Sequence, residues 1–233
     1  MAVRNLPEMG RKQIPAVRAD VEAELVFPAL RGADIQRWNA VPGVHILAVQ
    51  DPHTRRGYPE AILRERWPRT FAYLQRFREE LLGRALYRKY HAEAGRPFYS
   101  QFNVSPATFS PYKVVWRRMA NDLAAAVVSE WEGRLGCKQV LPLETTTFFP
   151  AQDLGEAHYL CALLNSDPVR DFVKSFSAAG RGFGTPYVAS QIRIPLYDPA
   201  NHLHRRLAEI SLSLHQYPYP EGEREIDAAV LSL

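Results

Sequence analysis

The sequence predicts an α+β fold in which helical segments flank a small antiparallel sheet. Two observations carry this. On either side of residues 98–149, apolar residues recur every three or four positions, the period of a helix that buries one stripe. Within residues 98–149 that period gives way to short β-branched and aromatic runs separated by Pro, Gly and Ser turns. Helix, sheet and helix in that order argue against a doubly wound fold, where strands and helices would alternate.

Residues 1–20 read as an irregular leader punctuated by Pro7, Gly10 and Pro15, and residues 21–233 as the folded domain. Residues 21–30 are apolar and stop at Arg31-Gly32, with Pro28 splitting them into two short turns. Residues 44–49, bounded by Pro42-Gly43 and Asp51-Pro52, read as a buried strand. A helix with proline in its first turn follows at 59–66. A longer one starts at Pro68, with Phe71, Leu74, Phe77, Leu81 and Ala85 along its stripe. That stripe leaves Arg69, Arg76, Arg84 and Arg88 largely on other faces.

Four strands are expected next, at 99–104, 113–117, 124–128 and 145–149. Helices return at 156–164, and again from Asp167-Pro168 with Val169, Phe172, Val173 and Phe176 as the stripe. A glycine-rich loop at 178–186 leads to a short strand at 191–195. An amphipathic helix at 201–215, with Leu203, Leu207 and Ile210 inward, and a final one at 221–233 complete the chain.

The net charge of +4 hides an uneven distribution. Residues 54–118 hold 14 basic and 5 acidic side chains, whereas 1–53 are balanced and 119–233 carry −5. The same stretch contains 13 of the 26 aromatic residues, which belong to the core under either reading of the charge. The cations suit a polyanion-binding face or a solvated helix surface, and their being mostly arginine suits phosphate oxygens and guanine edges. Arg55, Arg56, Arg76, Arg84, Arg88, Lys89, Lys113, Arg117 and Arg118 are the candidate DNA contacts, joined by Arg181 in the glycine loop. Lys113 before its apolar strand serves a structural role equally well, and Arg84 could equally cap a helix C-terminus.

Other classes find little support. Two cysteines, Cys137 and Cys161, build neither a disulfide framework nor a paired-cysteine zinc site. No apolar run approaches the roughly 20 residues that span a bilayer, and residues 1–12 lack a signal-peptide core. The expectation is a reduced, cytoplasmic protein with no membrane partner.

The glycine loop Gly180-Arg181-Gly182-Phe183-Gly184 follows a helix and precedes a strand, the reverse of a phosphate-binding loop. His202 and His204, two apart on a helix with Asp198 nearby, point to different faces and suit no single metal; they read as surface or capping histidines. Cys161 reads as core, and His158 lacks a recognisable Ser or Cys partner. Asp20, Glu22 and Glu24 cluster without a following lysine, and Asp122, Glu130 and Glu132 look like loop or strand-end charges. Asn165 and Ser166 are assigned to helix capping. No residue is assigned to catalysis, cofactor or metal.

Several segments occur in a recognisable order: Leu30-Arg31-Gly32-Ala33-Asp34-Ile35, Tyr73-Leu74 through Leu81-Leu82-Gly83-Arg84, and Pro111-Tyr112-Lys113-Val114-Val115-Trp116. Tyr159-Leu160-Cys161-Ala162-Leu163-Leu164-Asn165-Ser166, Ile192-Arg193-Ile194-Pro195 and Glu225-Ile226-Asp227-Ala228-Ala229-Val230 follow. Together, over about residues 20–230, they resemble the C-terminal target-recognition (specificity) region of adenine-specific DNA methyltransferases and fused type II restriction–modification enzymes. The resemblance implies double-stranded DNA as partner and a methyltransferase catalytic domain or subunit to work with. That family's Asn-Pro-Pro-Tyr/Phe motif and its glycine loop for S-adenosylmethionine are not found here. The cofactor is therefore expected only in a catalytic partner, and the chain reads as a recognition domain truncated at both ends, a split subunit or a gene remnant. A protein-interaction module, or a nuclease or methyltransferase with an unrecognised site, are the alternatives.

Overall fold

A computed structural model describes residues 1–10, 12–176 and 191–233. Its first strands are β1 (Ala2–Arg4), β2 (Arg18–Asp20), β3 (Val26–Leu30), β4 (Ile35–Gln36), β5 (Asn39–Ala40), β6 (Val44–Leu47), β7 (Gln50–Asp51) and β8 (Arg56–Gly57). After them come β9 (Tyr112–Arg117), β10 (Ala125–Val128), β11 (Glu130–Gly133), β12 (Gly136–Gln139), β13 (Leu141–Pro142) and β14 (Thr146–Ala151). The helices are α1 (Glu60–Arg66), α2 (Pro68–Gln75), α3 (Arg78–Leu82), α4 (Ala85–Tyr90), α5 (Leu154–Asn165), α6 (Asp167–Phe176), α7 (His202–Gln216) and α8 (Pro220–Val230). The fold is α+β, in two compact units: Met1–Val26 with Leu47–Pro106, and Phe27–Ile46 with Ala107–Leu233.

In the first unit, Leu25, Val49, Leu63, Trp67, Phe71, Leu74, Phe98 and Tyr99 form the core. The stretch expected to be irregular is tied at both ends. β1 pairs antiparallel with β2, and the Met1 ammonium donates to the Val21 carbonyl at 2.7 Å. The long helix expected from Pro68 is three short ones instead. Phe77 leaves helical geometry (φ −115°, ψ 19°) and Arg84 is extended (φ −66°, ψ 130°). The apolar spacing runs through these breaks because each short helix still contributes to a buried face, so periodicity alone did not reveal them.

Glu22 supplies the cap that α2 lacks locally. Its carboxylate accepts from the Thr70 amide (2.8 Å), the Thr70 hydroxyl (2.6 Å) and the Arg69 amide (3.1 Å). Burial pushes this carboxyl's pKa up, but the hydrogen bonds from Thr70 and Arg69 outweigh it and leave the pKa below the usual value. The strand expected at 99–104 is absent. Side-chain amides do the work of a ladder there: Gln101 N–H donates to Gln50 Oε1 (2.7 Å), Val49 N–H to Gln101 Oε1 (3.1 Å), and Gln101 Nε2 to the Leu47 carbonyl (2.9 Å).

The second unit is built on the antiparallel sheet β10-β9-β14, with β9 in the centre. Successive side chains of β9 point to opposite faces. Val114 and Trp116 enter a large core with α5, α7 and α8, while Val115 joins Leu30, Ile35, Ala126, Val128 and Val140 on the other side. A strand buried on both faces reads as a continuous apolar run, which is why residues 113–117 were legible. α5 is apolar nearly all round and accordingly buried, with Asp153 capping its start by accepting from the Glu156 amide at 3.0 Å.

Four local expectations are corrected. Residues 26–30 form strand β3 after a single 3-10 turn. The strand lies between β13 and β6, and β13 pairs with it only at Ala29 and Leu30, beyond Pro28. Residues 191–195 form no strand, although Ile192 and Ile194 pack on the core and Pro195 O accepts from the Tyr159 hydroxyl at 3.1 Å. On α6, Val173 is buried but Phe172 is 49% exposed; the side chain of Phe176 lies outside the described residues. Asn165 is not a cap. It is fully buried, its Oδ1 accepting from the Ala125 amide and its Nδ2 donating to the Ala125 carbonyl, both at 2.8 Å. Ser166 does cap, donating to the Leu163 carbonyl and accepting from the Val169 amide.

Candidate nucleic-acid interface

Within the first unit, the hairpin β7–β8 presents two of the candidate cations. Asp51 Oδ1 accepts from the backbone amides of His53 (2.8 Å) and Thr54 (3.4 Å), an Asx turn that organises the tip. The hydrogen bond from the His53 amide leads the effects that hold the Asp51 carboxyl below its usual pKa. Arg55 then adopts φ 55°, a left-handed conformation costly for a residue with a Cβ. Gln50, 4% exposed, maintains it by donating Nε2 to the Arg55 carbonyl at 3.2 Å. The tip is thus held from inside through its backbone, and the side chains of Arg55 and Arg56 stand exposed.

The helices of the same unit add further cations. Arg64, Arg66, Arg69, Arg76, Arg88 and Lys89 are exposed. Three of them rest on aromatic rings, Arg64 over Phe71 (4.9 Å), Arg66 over Trp67 (4.8 Å) and Lys89 over Tyr90 (5.0 Å). None of these eight side chains forms an ion pair among the described residues. The first unit carries 15 basic and 10 acidic side chains, net +5; the second carries 14 and 15, net −1.

Ion pairing divides the same way. In the first unit Arg4 pairs with Glu8 and Arg78 with Glu60. In the second, Arg31, Arg37, Arg170, Lys174, Arg206 and Arg224 all meet carboxylates. Arg64, Arg66 and Arg69 were not among the candidate contacts. The helical spacing already set Arg69 off the buried stripe, and the exposure of Arg64 and Arg66 on α1 is what the tertiary structure adds.

The remaining candidates fare differently. Arg84 spends its guanidinium on the carbonyls of Leu81 (2.9 Å), Phe98 (2.8 Å) and Ser100 (2.9 Å), so it closes α3 and pins the segment after α4. Lys113 is fully buried, donating Nζ to Ser110 O (2.7 Å) and Gln139 Oε1 (3.2 Å), and burial brings its pKa down to about 8. Both therefore hold the structural roles that the sequence equally allowed, with donors spent on protein oxygens. Arg117 donates Nε to the Ile35 carbonyl (2.9 Å). It borders a groove of about 680 Å³ in the second unit, together with Arg37, Met119 and Asn121. Arg118 is exposed, with Nη1 3.4 Å from the Glu144 carbonyl. Arg181 and the glycine loop lie outside the described residues. Arg55, Arg56, Arg76, Arg88 and Lys89 belong to one unit, Arg117 and Arg118 to the other.

Replacing Lys113 with Met is expected to leave duplex affinity unchanged, measured by fluorescence anisotropy. The melting temperature should stay within a few degrees of the parent, because a buried ammonium exchanged for an apolar group of similar length loses desolvation cost along with hydrogen bonds.

The histidines considered as metal ligands are also placed. His204 is buried rather than on the surface, its Nδ1 accepting from the Asp198 amide at 3.0 Å and its ring 4.5 Å from Tyr159. Among the described residues no three His, Cys, Asp or Glu side chains gather in a way that could hold a metal ion. Nor, among them, is any helix long and apolar enough to cross a membrane.

The motif segments Tyr112–Trp116 and Tyr159–Ser166 are core elements of the second unit. No family model matches the chain. A type II methyltransferase, M.NspV of Nostoc sp. (strain ATCC 29411 / PCC 7524), is 29% identical over 158 residues. The match covers 67% of this chain and 30% of that protein, so the chain spans less than a third of the relative's length. This similarity relates the chain to restriction–modification methyltransferases.

Proposed function

We propose that the chain reads double-stranded DNA as the specificity module of an adenine-specific DNA methyltransferase or restriction–modification enzyme. In this reading residues 21–233 form the recognition domain. Methyl transfer, with its S-adenosylmethionine, is the work of a separate catalytic domain or subunit. The observation that carries the proposal is a set of exposed cations on the first unit, the eight above among them, with no carboxylate partner among the described residues. Surface cations on a folded domain are commonly interspersed with acids. A group left unpaired keeps its full attraction for phosphate, and binding releases the counterions condensed there. The similarity to M.NspV supports the same reading. Phosphate contacts by these arginines would set position and register, and base edges would be read by groups reaching into a groove.

The test is the salt dependence of duplex binding. Each phosphate contact contributes about 0.9 to the slope of log affinity against log salt. The pairs Arg55→Ala/Arg56→Ala and Arg88→Ala/Lys89→Ala should each lower the slope by up to about 2 and weaken binding at low salt. An anisotropy titration in which both pairs leave the slope unchanged would overturn the proposal.

A further inference from the structure

The strands β11 and β12 form a ribbon that the sequence reading passed over. They pair from Glu130↔Gln139 to Gly133↔Gly136 around a two-residue turn, Arg134-Leu135. Neither turn residue has positive φ, but Gly136 does (φ 75°), the combination of a type I turn closed by a glycine bulge. β11 is exposed along its whole length, so solvent reaches both of its faces. Alternation sorts the charges. One face carries Glu130, Glu132 and Cys137, with Cys137 Sγ and Gln139 Nε2 both bonded to the Glu130 carboxylate. The other carries Trp131 beside Lys138 and the two glycines, and no acid.

On that second face the indole lies over Gly133, where an added Cβ would meet the ring at 3.4 Å. The indole is 40% exposed, with half-buried Lys138 as its cross-strand partner, the lysine ammonium lying over the Phe27 ring at 4.7 Å, and with exposed Arg134 at the turn. A ribbon of two strands fits the roughly 12 Å width of the major groove of B-DNA. We infer that the Trp131 face of this ribbon is a DNA-contacting element, inserted with its cationic side toward the duplex and its acidic side away. The inference rests on the DNA-binding reading above and adds to it the surface that approaches the bases. Charge complementarity selects the occupant: a polyanion is attracted by exposed Arg134 at the turn, with Lys138 over Phe27 adding its charge on that side, and repelled by the face with Glu130 and Glu132.

Trp131 reports on this directly. Of the four tryptophans, Trp38, Trp67 and Trp116 are 3%, 5% and 2% exposed, so acrylamide quenching of the native protein reads Trp131. The probe is a pool of short mixed-sequence duplexes added to saturation, as judged by the anisotropy of a labelled portion. Bound duplex should remove most of the quenching, and Trp131→Phe should abolish the quenchable signal while still binding. Saturating duplex that leaves Trp131 as quenchable as before would overturn the inference and spare the DNA-binding reading. Equal protection by polyglutamate would likewise overturn it, since the face would then accept any polyanion. Absence of duplex binding at low salt would overturn both.

Discussion

Asn165→Ala should lower the melting temperature of the second unit by roughly 5–15 °C, and Asn165→Asp should cost more at neutral pH. The buried amide closes a two-way exchange with the Ala125 backbone, accepting from its N–H and donating to its carbonyl. Its own carbonyl also accepts from Arg37 Nη2 at 2.7 Å, so α5 ends where two other elements are tied to it. Alanine leaves the Ala125 N–H and C=O buried without side-chain partners. At about 1–3 kcal/mol per unsatisfied group, the total is of order 2–4 kcal/mol. A domain of this size loses about 2–4 °C per kcal/mol. Aspartate keeps the acceptor but sets a charged oxygen against the Ala125 carbonyl in a dry site. Protonation would restore a donor, so the Asp variant should gain on the Ala variant as pH falls from 8 to 5. Calorimetric melts of both variants across that range check it, and an Asp variant as stable as the parent at pH 8 would contradict it.

Acidification from pH 6.5 toward 5 should destabilise the second unit, by up to about 1.4 kcal/mol per pH unit through His158 and further through His215, before the carboxylates titrate. His158 and His215 are packed with ring centroids 4.8 Å apart. His215 Nε2 accepts from the Val127 amide (2.9 Å) and its Nδ1 faces the Ser211 carbonyl (2.7 Å), which selects the neutral Nδ1–H tautomer. A second proton would point N–H at N–H. His158 Nδ1 lies 3.1 Å from Ser211 Oγ; burial, then the neighbouring His215, brings its pKa down to about 3. Burial lowers that of His215 too.

The unfolded chain takes up protons near pH 6.5, while the folded one resists, so the full stability is present above that value. It is lost as pH falls, by about 1.4 kcal/mol per pH unit for His158 down to about pH 3, with His215 acting in the same direction. The depressed carboxyls act lower. These are Asp34, held down by its hydrogen bonds from Arg31, and Asp122, where burial is outweighed by Arg170 and Lys174. Urea unfolding at pH 7, 6 and 5 reads the slope. His158→Gln should reduce it, and a flat profile over that interval in the parent would contradict the assignment.

The two predictions share a feature that the sequence could not display. Asn165 reads as a helix end, and its partner Ala125 lies 40 residues away. His158 was noted for lacking a Ser or Cys partner, yet Ser211, 53 residues on, is its hydrogen-bond partner, and Cys161 lies one helical turn away with its sulfur 4.0 Å from His215 Nε2. The same limit governed the cations. Arg84 and Arg88 looked alike on a helical projection; one is satisfied by three backbone carbonyls and the other is exposed.

What the residues determined unaided is what depends on near neighbours: the α+β class, the strands around Val114, Ala126 and Phe148, the helices α5, α7 and α8, and a surplus of arginine between residues 54 and 118. These rest on apolar period and charge count, which a short window contains. Which of those arginines face solvent unpaired, which lysine is buried, how the cations divide between two units, and that Trp131 stands exposed on a two-stranded ribbon were decided by the tertiary structure. The physical reason is that hydrogen bonds and ion pairs are satisfied by whatever packing brings near, and only the folded chain says which groups are left over.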